Sequence, residues 1–357
     1  MRKILLSFVL VVASVAMVAA NGSQDQKSAT TSYKIPGAPA PFDGSKGRQL
    51  HIVHISYLQE GEFMQMYRAG VEQQAAALGM KVTLLGRQTD AQACANAVNQ
   101  AINMKVDGIV IQHGLTETMM GPAQQALDAG IPVVAFDVDL KNPKIPQIAQ
   151  NDPQHGRNAI NSIIKDFNGK VDMAYVRVAG ILPLDKRDAT IQEGLAANPG
   201  VKLAAQTGTM ESPIAVKNAD QATAVLRANP NIGAYLAPYD EFAKGIVMAL
   251  EELGMSNKVK VYSIDISTQD IELMTKPNSP WVMTSAVNPA EMGAASVRAL
   301  AQVMAGEKVP HDILVQPMII TADMLKKSNV KNMEDLMKAY PEFKSSDAAW
   351  SPWMPKK

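Results

Sequence analysis

Acidic side chains recur at the points where apolar runs stop. Asp137 and Asp139 follow Val133-Val-Ala-Phe, and Asp265 follows Val259-Lys-Val-Tyr-Ser-Ile. Tyr239 and Asp240 come just after Ile232 to Ala237, and Asn288 just after Trp281 to Ser285. Near the start, Glu60, Gly61, Glu62 and Phe63 succeed His51-Ile-Val-His-Ile-Ser, while His113 succeeds Gly108-Ile-Val-Ile-Gln. A carboxylate accepts hydrogen bonds in pairs, which suits vicinal hydroxyls or an ammonium group. An Asp after a strand also caps helices and closes turns; ligand contact is the preferred reading for Asp137 and Asp265, and Asp240 is left open between contact and cap. Phe63 either stacks on an apolar sugar face or opens a helix core. His113 either donates to a ligand or bonds a loop carbonyl. Arg187, within Lys186-Arg187-Asp188, either forks onto ligand oxygens or lies on a solvated face.

Motifs for bond-making chemistry are absent. There is no Gly-x-Ser-x-Gly, no Gly-x-x-x-x-Gly-Lys, no His-Glu-x-x-His and no Cys/His metal spacing. The expectation is a binding protein with no catalytic residue, metal or cofactor. The lone Cys94 sits in a small-residue helical stretch and reads as an inert buried thiol, and one cysteine excludes an intramolecular disulfide.

The elements that must deliver these residues alternate short apolar runs with longer amphipathic ones, the βαβ signature of a parallel sheet covered on both faces. One series of alternations runs from His51 to Phe136, pauses at Lys141-Asn-Pro-Lys-Ile-Pro, and a second runs from Gln154 to Ser285. Two similar runs predict two similar lobes and a cleft between them, with ligand bound beyond the carboxyl ends of the strands.

Basic and acidic residues balance at 34 each with no cluster of one sign, so the basic stripe that nucleic acid requires is missing. Arg2 and Lys3 followed by apolar residues from Ile4 to Ala20 read as an export signal (1–20) cleaved near Ala20-Asn21; Asn21 stands where a lipoprotein needs cysteine. A Gly, Ser, Pro and Gln-rich stretch (21–47) reads as a flexible linker, and 346–357 as a tail that is either loose or docked on the body through Trp350 and Trp353.

From about Gln49 to Val330 the chain resembles the periplasmic sugar-binding proteins of the ribose- and galactose-binding group. The resemblance is carried by Val106-Asp-Gly-Ile-Val-Ile, Gly130-Ile-Pro-Val-Val-Ala-Phe-Asp, Asn151-Asp, Tyr239-Asp-Glu-Phe-Ala-Lys-Gly and Tyr262-Ser-Ile-Asp. It implies the type I periplasmic binding protein fold, an α/β architecture of two Rossmann-like lobes joined by three hinge strands, with lobes at 48–151 plus 286–315 and 152–285 plus 316–345. It further implies ligand contacts at Phe63, Asp137, Tyr239, Asp265 and the Val287-Asn288 position. The implied partners are a small sugar or polyol and the permease subunits of an ABC transporter, for a periplasmic monomer. A receptor-coupled sensor is the alternative. Val138 and Ala189 stand where pyranose-binding members carry Arg, and Glu60-Gly61-Glu62-Phe63 replaces an Asn-Pro-Phe-Phe style loop. Those departures open the ligand class to a polyol, an unusual sugar or an amine-bearing molecule.

Overall fold

The structure, a computed structural model, describes residues 33–344 and 346–355. The expected export signal and the first part of the linker lie outside them.

The first series forms β1 (Leu50–Ser56), α1 (Glu62–Ala77), β2 (Met80–Leu85), α2 (Ala91–Asn103), β3 (Gly108–Gln112), α3 (Thr116–Asp128), β4 (Val133–Phe136) and β5 (Gln147–Gln150). The second forms α4 (Asp152–Asp166), β6 (Val171–Val176), α5 (Leu182–Ala197), β7 (Val201–Thr207), α6 (Ile214–Ala228), β8 (Ala234–Ala237), α7 (Asp240–Glu252), β9 (Lys260–Ile264), α8 (Thr268–Thr275) and β10 (Trp281–Ala286). α9 (Pro289–Met304) and β11 (Asp312–Val315) return to the first lobe; β12 (Met318–Thr321), α10 (Ala322–Lys327), α11 (Met333–Ala339) and α12 (Pro341–Lys344) belong to the second.

The sheet orders, β11-β5-β4-β3-β1-β2 and β12-β10-β9-β8-β6-β7, follow one plan. Every pairing is parallel except that of β10 with β12. β3, β4 and β8 are buried at every position, as strands covered by helices on both faces must be. Helices approach each other through glycine. A Cβ on Gly70 of α1 would lie 1.9 Å from Ala290 O, and one on Gly293 of α9 would lie 2.0 Å from Tyr67 O.

Three links join the lobes: β5 to α4, β10 to α9, and β11 to β12. Two turn straight into helices capped by asparagine, Asn151 accepting from Gln154 N and Asn288 from Ala290 N. A fourth passage follows α12. Phe343 lies in the second-lobe core, whereas Met354 lies in the first-lobe core. Residues 346–355 thus form a strap on the first lobe, held by buried Arg298, whose Nε and Nη2 donate to Ala348 O at 3.0 and 2.8 Å.

Within the segment expected as linker, Ala38 and Phe42 are buried while Tyr33 and most of its neighbours are exposed. Phe42 is fully buried, its ring 4.9 Å from that of Trp353, and Ile35 N donates to Phe42 O at 2.9 Å. One aromatic anchor meeting another on the strap supplies the burial that the surrounding Pro and Gly residues lack. No helix among the described residues is long and apolar enough to cross a membrane.

Candidate functional site

Strand ends deliver the site. His113, Asp137 and Asp265 each follow the last residue of β3, β4 or β9 by one position, and each has a left-handed backbone, with φ of 55°, 52° and 76°. Their amide groups still extend the sheet ladders, to Phe136 O, Ile148 O and Ser285 O. Left-handed non-glycine residues carry strain that persists where surrounding structure enforces it, and such residues gather at binding sites.

Between the lobes lies a narrow cavity of about 20 Å³. Its polar wall is made by His113 and Gln150 of the first lobe and Arg187, Tyr239 and Asp265 of the second. The facing wall is apolar. Leu58, Phe63 and Met64 come from the β1–α1 region; Ile181, Pro183 and Leu184 from the start of α5; Met210 from the loop before α6.

Arg187 organises the polar wall. Its Nε donates to Asp152 Oδ1 at 2.9 Å and its Nη1 to Pro238 O at 2.7 Å, while Nη1 and Nη2 fork onto the two Asp265 oxygens at 3.1 and 3.4 Å. Burial opposes the guanidinium charge, but Asp265 and then Asp152 more than offset it and raise its pKa. In one orientation the Gln150 amide donates to Asp137 Oδ2 at 3.3 Å; the opposite orientation satisfies its neighbours more fully. In it the oxygen accepts from Arg187 Nη2 at 3.0 Å, and the nitrogen donates to Asp265 Oδ1 and His155 Nε2, both at 3.1 Å. Asp137 sits one layer deeper, its Oδ2 3.9 Å from His113 Nε2 and its Oδ1 without a hydrogen bond. Burial, reinforced by Asp152, pushes the Asp137 carboxyl well above the usual range. Burial and then Arg187 push His113 down to about 3, so its ring is neutral at pH 7 and offers one donor and one acceptor.

Other residues singled out in the sequence stand elsewhere. Asp139 turns outward and pairs with Lys141. Asp240 is buried behind the cavity wall beside Lys244 and Asp270. Asn288 caps α9 and donates to Lys344 O at 2.7 Å, at the hinge. Glu60 spans the lobes without lining the cavity: its Oε1 accepts from Ile214 N and its carbonyl from the Tyr239 hydroxyl. Sequence reasoning missed Gln150, which ends a strand it did not read, and the methionines. No group of three His, Cys, Asp or Glu among the described residues is placed to hold a metal.

Comparison with known proteins agrees with this geometry. A model of the periplasmic binding protein domain matches residues 52–308. The ribose import binding protein of Bacillus subtilis (strain 168) is 24% identical over 261 residues, covering 72% of this chain and 83% of that protein. Among solved structures, the 5-methylthioribose transporter solute-binding protein from Thermotoga lettingae, in complex with 5-methylthioribose, is 35% identical with a TM-score of 0.84, covering 85% of this chain and 97% of that one. A sugar ABC transporter protein from Yersinia enterocolitica is 32% identical with a TM-score of 0.85, covering 89% and 97%. The matched span begins in β1 and runs through α9, so it takes in both lobes and every strand end that faces the cavity. The chain belongs to the periplasmic binding protein domain family, in its type I arrangement of two parallel-sheet lobes.

Proposed function

We propose that this protein is the extracytoplasmic solute-binding subunit of an ABC importer, capturing a sugar or polyol between its lobes and delivering it unaltered to membrane permease subunits. The observation that carries the reading is the cavity with one hydrogen-bonding wall and one apolar wall, each built from both lobes. In this reading Asp265 accepts from ring hydroxyls, Arg187, His113 and Tyr239 orient them, Phe63 packs on the sugar's apolar face, and Asp137 backs the polar wall from behind His113. Asp139, Asp240 and Asn288 make no ligand contact. The apolar wall favours a pentose with an apolar 5-substituent, the chemistry of the 5-methylthioribose bound by the T. lettingae relative. In this reading the protein acts as a monomer in the periplasm, reached through its export signal.

The test is thermal unfolding of the mature protein with 5-methylthioribose, ribose, allose and polyols. A ligand at a hundredfold over its Kd stabilises the folded state by about 2.7 kcal/mol. Asp265→Ala and Asp137→Ala should each weaken binding at least tenfold, the loss of about 1.4 kcal/mol. A panel with no stabilising sugar, or two variants of unchanged affinity, sinks the assignment. Recovery of the ligand chemically unchanged separates capture from catalysis.

A further inference from the structure

Two glutamates, Glu60 in the loop after β1 and Glu62 at the first position of α1, reach with their carboxylates across to the other lobe. Glu60 Oε1 accepts from Ile214 N, the first residue of α6, at 2.7 Å. Glu62 accepts from Thr268 N and Gln269 N, the first two residues of α8, at 3.2 and 3.0 Å. The first turn of a helix has amide groups without intrahelical partners, and its dipole favours negative charge there. α6 has no capping side chain of its own, since Pro213 precedes it, and the cap of α8, Ser267, serves only Asp270 N. Both needs are met from the opposite lobe.

Gly61 makes the approach possible. Its φ is 92°, and a Cβ there would lie 2.8 Å from the Tyr239 hydroxyl and 3.1 Å from Glu241 Cγ, both on the second lobe. A side chain at this position would hold the lobes apart.

We propose that Glu60 and Glu62 form an electrostatic latch that sets the closed population, and with it the ligand's residence time, from outside the cavity. Lobe separation breaks these bonds and returns the amides to water, so the latch contributes to closure and not to the stability of either lobe. Residues that favour one of two arrangements shift the population by their differential contribution alone. Loss of a helix cap corresponds to about a 3- to 30-fold change in an equilibrium constant.

The test compares the full mature chain with Glu60→Ala, Glu62→Ala, the double variant and Gly61→Ala, in two readouts. Small-angle scattering of the protein alone, which needs no ligand, should show a larger radius of gyration in the double variant and in Gly61→Ala. Stopped-flow dissociation of 5-methylthioribose should be about 3- to 30-fold faster in each single glutamate variant. It should accelerate with added salt in the parent but not in the double variant, because salt screens charge–dipole contacts. Only the dissociation half rests on the proposed ligand; if 5-methylthioribose fails to bind the parent, that reading falls while scattering still decides the latch. Unchanged scattering in both the double variant and Gly61→Ala overturns it, as does a salt response identical in parent and double variant.

Discussion

Arg187 is held by Asp152, Asp265, Gln150 and a backbone carbonyl, with almost no exposure of its own. Removing one partner of such a buried network leaves an uncompensated charge, so Arg187→Met should lower unfolding free energy by about 3–5 kcal/mol in urea titrations. Its position was legible in part. Leu184, Arg187 and Ile191 share the buried face of α5, and that helical spacing sets Arg187 apart from the half-exposed Lys186 and Asp188 beside it. The strand-end location of His113, Asp137 and Asp265 was likewise readable; their left-handed turn was not, because it depends on neighbouring strands. Histidine also gives a pH prediction. Burial pushes His54 and His113 from 6.5 down to about 3. The stability tied to their neutral form is complete above pH 6.5 and is lost as pH falls toward 3. Asp152 and Asp270, pushed up by burial to about 6, act with opposite sign between 3.8 and 6. His54 makes no hydrogen bond from either ring nitrogen. His54→Phe should therefore reduce the fall in unfolding free energy between pH 6 and 5 by about 1 kcal/mol per unit, measured by denaturant titration at each pH.

Element boundaries followed hydrophobic pattern wherever a strand is buried on both faces. β5 and β11 escaped for different reasons. Gln147-Ile-Ala-Gln is bounded by polar side chains, yet both glutamines are buried, Gln147 donating to Val138 O and Gln150 joining the Arg187 network. Asp312-Ile-Leu-Val is half exposed along an edge. Helix contact through glycine was also invisible, since no periodicity marks which small residue meets a neighbouring backbone. Gly293→Ala forces a Cβ to within 2.0 Å of Tyr67 O. Overpacking of this kind costs about 1–3 kcal/mol, and the expected drop in melting temperature should appear without any change in the polar wall of the cavity.

At the scale of the molecule, two lobes of one plan were predicted by the repeated alternation, and the structure has them. Docking of the tail through its Trp residues was one of two open readings; its partners were not readable, because Phe42, Arg298 and Trp353 are distant in sequence and meet only after folding. Deleting residues 346–357 should expose Phe42 and remove the carbonyl that receives Arg298. Calorimetry should then show a lower melting temperature, with ligand affinity changed less than by Asp265→Ala.

The strap also supplies an optical channel for watching the lobes separately. Of the three tryptophans, Trp281 is buried in the second lobe with its indole N–H on Ser263, whereas Trp350 and Trp353 ride on the first lobe, where Trp353 donates to Glu307. A chain carrying Trp281→Phe and Trp350→Phe would emit from the strap alone. Its spectrum should shift to longer wavelength when the strap lifts from Phe42, and a chain retaining only Trp281 should stay dark to that event.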